Sequence, residues 1–251
     1  MNRYFFLLAG CILLTLPLEV VLKARVYARF LIALKAISLP AMLYLIWDIF
    51  ATHFDHWSFS KQHASDIRIF SLPIEEYAFF LVVPICALLT YEAVGNLKPS
   101  LDKERATLNE WMFFVIGFSI LGFGTFLWRI SSLELLIPER IFPFYTLATT
   151  AICSILLIWI LKNETRRTIV GSQRYFLTLL ICLFFMIPMN GLLTILSDPV
   201  VSYSANFGPR MFLDIPMEDF FYGSALIAWV IIRWEKYLGS EIQHSSDKIN
   251  S

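Results

Sequence analysis

Seven long apolar runs dominate this sequence and leave little chain for anything else. They cover residues 4–22, 31–50, 73–93, 111–128, 142–161, 176–196 and 216–234. A helix needs about 20 mainly apolar residues to cross the hydrocarbon core of a bilayer, and each run supplies roughly that number. Lipid leaves the backbone of an open strand edge without partners, so the runs must be helices. The sequence therefore predicts an all-α integral membrane protein with about seven transmembrane helices.

The loop charges predict the direction of these spans. The formal net charge is +0, so no overall field attracts nucleic acid, and we expect no such partner. If the runs alternate across a membrane, 14 of the 20 Lys and Arg residues fall on one side. The positive-inside rule places that side in the cytoplasm. We expect a multi-pass protein of the cell (inner) membrane, with its N-terminus outside and its C-terminus cytoplasmic.

The sequence also resembles itself at a shift of 143 residues. The segment Pro-Ile-Glu-Glu at 73–76 falls on Pro-Met-Glu-Asp at 216–219, and Asp55 falls on Asp198. Each unit holds three predicted helices, with a longer loop between the second and the third. The predicted organisation is a first repeat, a loop with a linking helix, a second repeat and a disordered cytoplasmic tail, at 1–98, 99–139, 140–236 and 237–251.

The single linking helix determines how the two repeats are oriented. Three spans reverse the side of the chain, and a fourth restores it. Both repeats then enter the membrane in the same direction, as in parallel repeats related by an axis along the membrane normal. The two acidic motifs therefore lie at the same depth on the outer side, where they can face one shared cavity.

The paired acids of these motifs are the strongest candidates for chemistry. They are Glu75 and Glu76 in one repeat, and Glu218 and Asp219 in the other. Ionisable groups within membrane segments are rare and usually functional. Proline favours the opening of a helix, so the acids fall in the first turn. Neighbouring carboxyls in an apolar cavity cannot both ionise easily, so we expect at least one to hold a proton.

With these motifs, the sequence resembles the membrane-integral lycopene cyclases, which are built from two small related halves that occur as separate subunits or fused. The Pro-x-Glu-Glu and Pro-x-Glu-Asp signatures of that family stand at 73–76 and 216–219. Trp47-Asp48 followed by Trp57-Ser58-Phe59 is similar to the pattern of the first half, and Asn190-Gly191 to that of the second. The resemblance spans nearly all of residues 4–235.

The resemblance implies cyclisation of carotenoid ends, from lycopene through γ-carotene to β-carotene, an isomerase (intramolecular lyase) reaction. An acid protonates C2 of the linear end, the C5=C6 double bond closes the ring, and a base removes the C6 proton. Glu75 and Glu218 would do the acid–base work, and Glu76 and Asp219 would share their protons. The candidates for binding the substrate or its cation are Trp47, Asp48, Tyr77, Phe80, Asn190, Phe220 and Tyr222.

The partners implied are lycopene within the bilayer and membrane lipid, together with other carotenoid enzymes or further copies of this chain. No GxGxxG segment occurs, so we expect no flavin and no other cofactor. The spacing of His53, His56 and His63 matches no standard zinc site, and we expect no metal. The sequence does not decide between one and two cyclised ends, or between β- and ε-rings.

Two other functions remain open on the sequence alone. A prenyltransferase-like isoprenoid enzyme would use Asp-rich motifs to hold Mg²⁺, but no DDxxD or DxxxD segment is present. A proton-coupled membrane transporter could use the paired acids as a proton relay. Prolines within three predicted spans, at Pro40, Pro84 and Pro188, are compatible with the broken helices of such a transporter.

Overall fold

The computed structural model describes residues 2–107, 110, 144–195, 198–203 and 210–249, and they are mostly helical. In chain order the α-helices with described bounds are α1 Arg3–Val20, α2 Phe30–His53, α3 Ile74–Leu97, α4 Phe144–Leu161, α5 Glu164–Val170, α6 Gln173–Thr194 and α7 Met217–Ile249. Short 3₁₀ turns cover Tyr27–Arg29 and Pro99–Asp102. The linking helix predicted at 111–128 lies outside the described residues.

Four of the described helical segments are long and apolar enough to cross a membrane. They are Arg3–Val20, Tyr27–His53, Ile74–Leu97 and Gln173–Thr194. A fifth arises if Tyr145–Leu161 and Glu164–Val170, which meet at a bend of 117°, count as one span. An all-α membrane protein accounts for these segments, because each is close to the length that a bilayer requires.

The helices of the two halves begin at matching places. Helices α2 and α6 begin at Phe30 and Gln173, and helices α3 and α7 begin at Ile74 and Met217. Both pairs of starts are separated by the 143 residues of the sequence shift. A polar cap fixes the start of α6, where the Ser172 hydroxyl accepts a hydrogen bond from the Tyr175 amide at 3.1 Å.

The last helix corrects the prediction of a disordered tail at 237–251. Helix α7 continues through the tail to Ile249. Once a helix exists, each added residue contributes a backbone hydrogen bond without a new nucleation step. No proline interrupts the chain after Pro216, so nothing in the tail blocks this continuation.

A short β-hairpin precedes each acidic motif. Strands β2 Arg68–Ile69 and β3 Leu72–Pro73 pair before α3, and strands β5 Arg210–Met211 and β6 Ile215–Pro216 pair before α7. Phe70 and Ser71 both have positive φ, which a two-residue hairpin turn of the I′ type requires. Each proline of the acidic motifs therefore ends a strand, and the acids begin the helix that follows directly.

A third strand pair joins the two halves of the chain. Strand β1 Trp57–Phe59 pairs antiparallel with β4 Val201–Tyr203, and Trp57 lies opposite Tyr203. The strands lie in the loops that follow α2 and α6. Their pairing places the entrance loops of both acidic motifs side by side.

At the other end of α3, a buried arginine ties the halves together. Arg174 of α6 contacts Glu92 of α3 at 3.0 Å and Asp102 at 3.2 Å, and Glu235 of α7 at 3.7 Å. Its guanidinium carbon lies 3.8 Å from the ring centre of Tyr91. Gly95 makes room for this side chain, because a Cβ there would lie 2.5 Å from the guanidinium.

Candidate active site

Glu76 begins a buried polar cluster between the first three helices. It lies in the first turn of α3 and accepts a hydrogen bond from the Tyr4 hydroxyl of α1 at 2.5 Å. The Asp48 carboxyl of α2 lies close enough to the Glu76 carboxyl for the two groups to interact electrostatically. Asp48 is 1% exposed and also accepts a hydrogen bond from the Trp57 indole at 2.5 Å. Two buried carboxyl groups this close together cannot both ionise easily.

Asp219 occupies the corresponding place in the second half, but with different partners. Its carboxylate accepts hydrogen bonds from the Tyr145 hydroxyl at 2.5 Å, from the Asn190 amide at 2.7 Å and from the Tyr203 hydroxyl at 2.9 Å. Burial, together with the Asp219 carboxylate, raises the pKa of the Tyr203 phenol, so that this loop residue keeps its proton. Three neutral donors therefore surround one buried carboxylate, an arrangement that suits a negative charge.

Aromatic rings connect the two acid groups into one site. The Trp57 ring centre lies 5.0 Å from that of Tyr145 and 6.0 Å from that of Tyr203. Glu76 and Asp219 are close enough to interact electrostatically. The second acids of the two motifs thus border one buried cluster, to which both halves contribute.

The first acids of the motifs lie apart from this cluster. Glu75 accepts hydrogen bonds from the Asn2 amide and from the backbone of Ser65, the latter at 3.2 Å. Glu218 accepts a hydrogen bond from the Thr146 hydroxyl at 2.5 Å. Both acids are 3% exposed. Successive helical residues point about 100° apart, so the two acids of each motif face different buried surroundings.

The aromatic candidates divide between the site and the hydrophobic core. The ring centre of Tyr222 lies 6.0 Å from that of Tyr145, and the ring centre of Trp47 lies 6.3 Å from that of Trp57, so both border the cluster. Phe80 packs against Tyr44, and Phe220 packs against Phe212. These two phenylalanines fill the core of the bundle.

Tyr77 contacts the hairpin before α3, because its hydroxyl donates a hydrogen bond to the Ile69 carbonyl at 2.9 Å. Of the predicted binding residues, Asn190 donates directly to Asp219, and Asp48 lies close enough to Glu76 to interact with it electrostatically. The structure therefore brings Trp47, Asp48, Asn190 and Tyr222 to the cluster, and places Tyr77, Phe80 and Phe220 elsewhere.

One arginine stabilises each of the hairpins that present the acids. Arg68 donates to the carbonyls of Ser71 and Phe59 at 3.2 Å and 3.3 Å. Arg210 donates to the carbonyls of Tyr203 and Asp214 at 3.0 Å and 3.4 Å. These matching contacts fix the start of α3 and of α7 relative to the paired strands β1 and β4.

The most important residues that the sequence reasoning missed are Tyr4 and Tyr145. Each is the second residue of the first helix in its half, and each donates to the second acid of its motif. A shared place at the helix start is the signal that could have found them. The sequence shift does not align them, because residue 4 falls on residue 147.

His63 lies in the loop between β1 and β2, but its side chain is buried. It is 3% exposed, and its imidazole lies 2.7 Å from the Asp198 carboxylate across the two halves. Among the residues that the structure describes, no three His, Cys, Asp or Glu side chains are grouped so that they could hold a metal ion.

Comparison with known families supplies one match. A family model described as lycopene cyclase matches residues 2–94 and 143–236 of the chain. The two matched segments together cover well over half of the chain, and they contain the two acidic motifs. No curated protein and no solved structure matches the chain.

Proposed function

The chain belongs to the lycopene cyclase family, and from this premise we propose that it closes β-rings on the linear ends of lycopene. The product of the first closure would be γ-carotene and that of the second β-carotene. The observation that carries this proposal is the buried cluster in which Glu76 interacts electrostatically with both Asp48 and Asp219 among aromatic rings. The reaction is an isomerisation, so it needs an acid and a base but no redox partner.

We assign the acid to the pair Asp48 and Glu76. Because two buried carboxyls this close cannot both ionise easily, one of them would hold a proton that can be delivered to an apolar polyene. Its transfer to C2 of the substrate end leaves a cation at C1. The electrons of the C5=C6 bond then form the C1–C6 bond, and the positive charge moves to C5.

We assign the base to Asp219. Its three hydrogen-bond donors stabilise a carboxylate without adding a full positive charge beside the substrate cation. Loss of the C6 proton to this carboxylate forms the C5=C6 double bond of the β-ring. The proton gained at C2 and the proton lost at C6 balance, so the enzyme returns to its starting state after a proton passes between the two acids.

Aromatic faces complete the proposed site. The rings of Trp57, Tyr145 and Tyr222 lie beside the acids and can stabilise a passing carbocation. Each such contact contributes about 0.5–2 kcal/mol. Because water would quench the cation, the near-complete burial of Asp48, Tyr4 and Tyr145 also favours this chemistry.

This assignment changes the roles expected from the sequence. We propose that Glu75 and Glu218 position the helix starts, because their hydrogen bonds connect them to Asn2, Ser65 and Thr146. Glu76 and Asp219 then carry the proton transfers that the sequence assigned to Glu75 and Glu218. Tyr77, Phe80 and Phe220 would shape the site only through the packing of the hairpin and the core.

We also propose two parallel three-helix repeats in a seven-span protein of the inner membrane. The antiparallel pairing of equivalent strands β1 and β4 supports a twofold axis between the halves. The basic residues of Tyr27–Arg29 and Glu164–Val170 lie at the helix ends opposite the acidic motifs, which supports an outer site and a cytoplasmic basic face.

The proposal is tested by expressing the full chain in cells that accumulate lycopene and separating their extracted pigments. We expect conversion to γ- and β-carotene, and continued conversion by the purified protein without added flavin or nicotinamide. Lycopene that stays unchanged, despite verified expression in the membrane, would contradict the proposal. Lengthened prenyl products would favour the prenyltransferase alternative, and proton-coupled solute uptake would favour the transporter.

Within this site, Tyr203→Phe is expected to lower the cyclisation rate by about tenfold. The change removes one of three hydrogen bonds to Asp219, and a hydrogen bond to a charged group contributes about 1.5–3 kcal/mol. Rates of lycopene loss in membranes with equal enzyme content would measure the effect. Tyr237→Phe, midway along α7 and about five helical turns beyond Asp219, serves as the matched control. An unaltered rate in Tyr203→Phe would argue against a role for this phenol.

A further inference from the structure

A cavity of about 460 Å³ lies at the ends of α1 and α3 that face away from the acidic cluster. Twenty-one residues of α3 separate Glu76 from Leu97, which corresponds to roughly 30 Å along the helix. The cavity is lined by the loop after α1 and by the last turns of α3, including Lys23, Arg25, Arg29 and Asn96. It is therefore separate from the proposed site of cyclisation.

Three basic side chains, Lys23, Arg25 and Arg29, line the cavity. Among the residues that the structure describes, none of Lys23, Arg25 and Arg29 is in an ion pair. The acid at the cavity wall is Glu92, and its carboxylate is already bound by Arg174 at 3.0 Å and by the Trp234 indole at 2.8 Å. Within the described part of the chain, these three cations therefore have no ion-pair partner at the cavity.

The loop that carries these cations is held in a defined shape. Glu19 accepts hydrogen bonds from the backbone of Val26 at 2.8 Å and of Ala28 at 3.4 Å. The Asn96 amide donates to the carbonyls of Leu22 and Lys23, each at 2.9 Å. Lys23 and Arg25 have positive φ, an uncommon conformation for residues other than glycine. The cations are therefore presented by a fixed loop.

The rim of the cavity is apolar and exposed. Val21 and Leu97, which line the cavity, are 71% and 67% exposed. In a membrane protein, such side chains at the end of a span contact acyl chains, while nearby cations contact headgroups. A ligand that suits both surfaces has an anionic head and an apolar tail.

We propose that this cavity binds the phosphate of an anionic membrane lipid, with its acyl chains along the apolar rim. Lys23, Arg25 and Arg29 would contact the phosphate oxygens through charge-assisted hydrogen bonds. The inference does not depend on the cyclase activity, because it requires only that the chain lies in a membrane.

The test is native mass spectrometry of the purified full chain in detergent, with phosphatidylglycerol or phosphatidylcholine added in equal amounts. We expect selective retention of phosphatidylglycerol, reduced about tenfold in the triple variant Lys23→Gln/Arg25→Gln/Arg29→Gln. The matched control Lys103→Gln/Lys162→Gln/Arg167→Gln also loses three exposed cations and should retain the lipid. If the triple variant does not fold, the exposed Arg25 is replaced alone.

Two results would overturn the proposal. One is equal retention of phosphatidylglycerol by the wild type and the triple or single variant. The other is absence of lipid retention together with binding of inorganic phosphate, detected by broadening of its ³¹P resonance, which would make a free anion the ligand. Pigment conversion by the wild type is measured separately, so failure of the lipid site and failure of the cyclase proposal are distinguishable.

Discussion

Glu76→Gln and Asp219→Asn are each expected to lower the conversion of lycopene by about 10² to 10⁴-fold, the range of a lost general acid or base. Both changes keep the shape of the side chain and its ability to accept a hydrogen bond from Tyr4 or Tyr145. The loss should therefore arise from proton transfer and not from folding. Pigment analysis at equal protein content in the membrane measures it.

The two variants should also differ in their residual products. Without the acid, no cation forms, so Glu76→Gln should leave lycopene unchanged. Without the base at C6, the cation at C5 can lose a proton from C4 instead, so any residual product of Asp219→Asn should be enriched in ε-rings. Such a shift would identify Asp219 as the group that selects the proton to be removed.

The first acids provide the contrast for this prediction. Glu75→Gln and Glu218→Gln should each keep at least about a tenth of the activity, because they remove positioning contacts and not the proton path. Glu104→Gln, an exposed change near Lys98, controls for expression. Full conversion by Glu76→Gln together with complete loss in Glu75→Gln would reverse the assignment.

Arg174→Met is expected to lower the free energy of unfolding by about 3–5 kcal/mol, the cost of leaving a buried charge without its partner. Arg174 and Glu92 are each buried, and their charged atoms lie 3.0 Å apart. Helices α3, α6 and α7 meet at this contact, so its loss should loosen both halves together. Unfolding in mixed micelles, followed by tryptophan fluorescence, measures the change.

A second substitution shows whether the uncompensated charge is the cause. Arg174→Met/Glu92→Gln should recover much of the lost stability, because it removes the charge that the single variant leaves alone. Arg166→Met is the matched control, since Arg166 stacks on Trp159 near the surface and should cost below about 1 kcal/mol. A single variant as stable as the wild type would show that this contact does not join the halves.

The sequence predicted the helices well because their signals are local. Long apolar runs predicted α1, α2, α3 and α6, and the repeat shift aligned the starts of α3 and α7 with the acidic motifs. The prediction of a disordered tail at 237–251 was wrong, because the polar composition of this segment was interpreted as disorder. A polar composition indicates that a segment has no apolar face to bury, but it does not indicate whether a preceding helix such as α7 continues into that segment.

The site was harder to predict because its contacts are distant in the sequence. Tyr4 and Glu76 are 72 residues apart, and Tyr145 and Asp219 are 74 apart. Which acid of each pair faces the other half depends on the rotation of α3 and α7, and the hairpins held by Arg68 and Arg210 set that rotation. Two-residue strands such as β2 and β5 leave no periodic signal.

Deuterium labelling is the most direct test of the proposal that a buried carboxyl group protonates lycopene. Purified enzyme is equilibrated in D₂O and mixed with a smaller amount of lycopene, and the γ-carotene from the first turnover is examined by mass spectrometry and NMR. If Asp48 and Glu76 deliver the proton, the new ring carries one deuterium at C2. The Glu76→Gln variant should form no such labelled γ-carotene. A ring without deuterium at C2, formed at the normal rate, would contradict it.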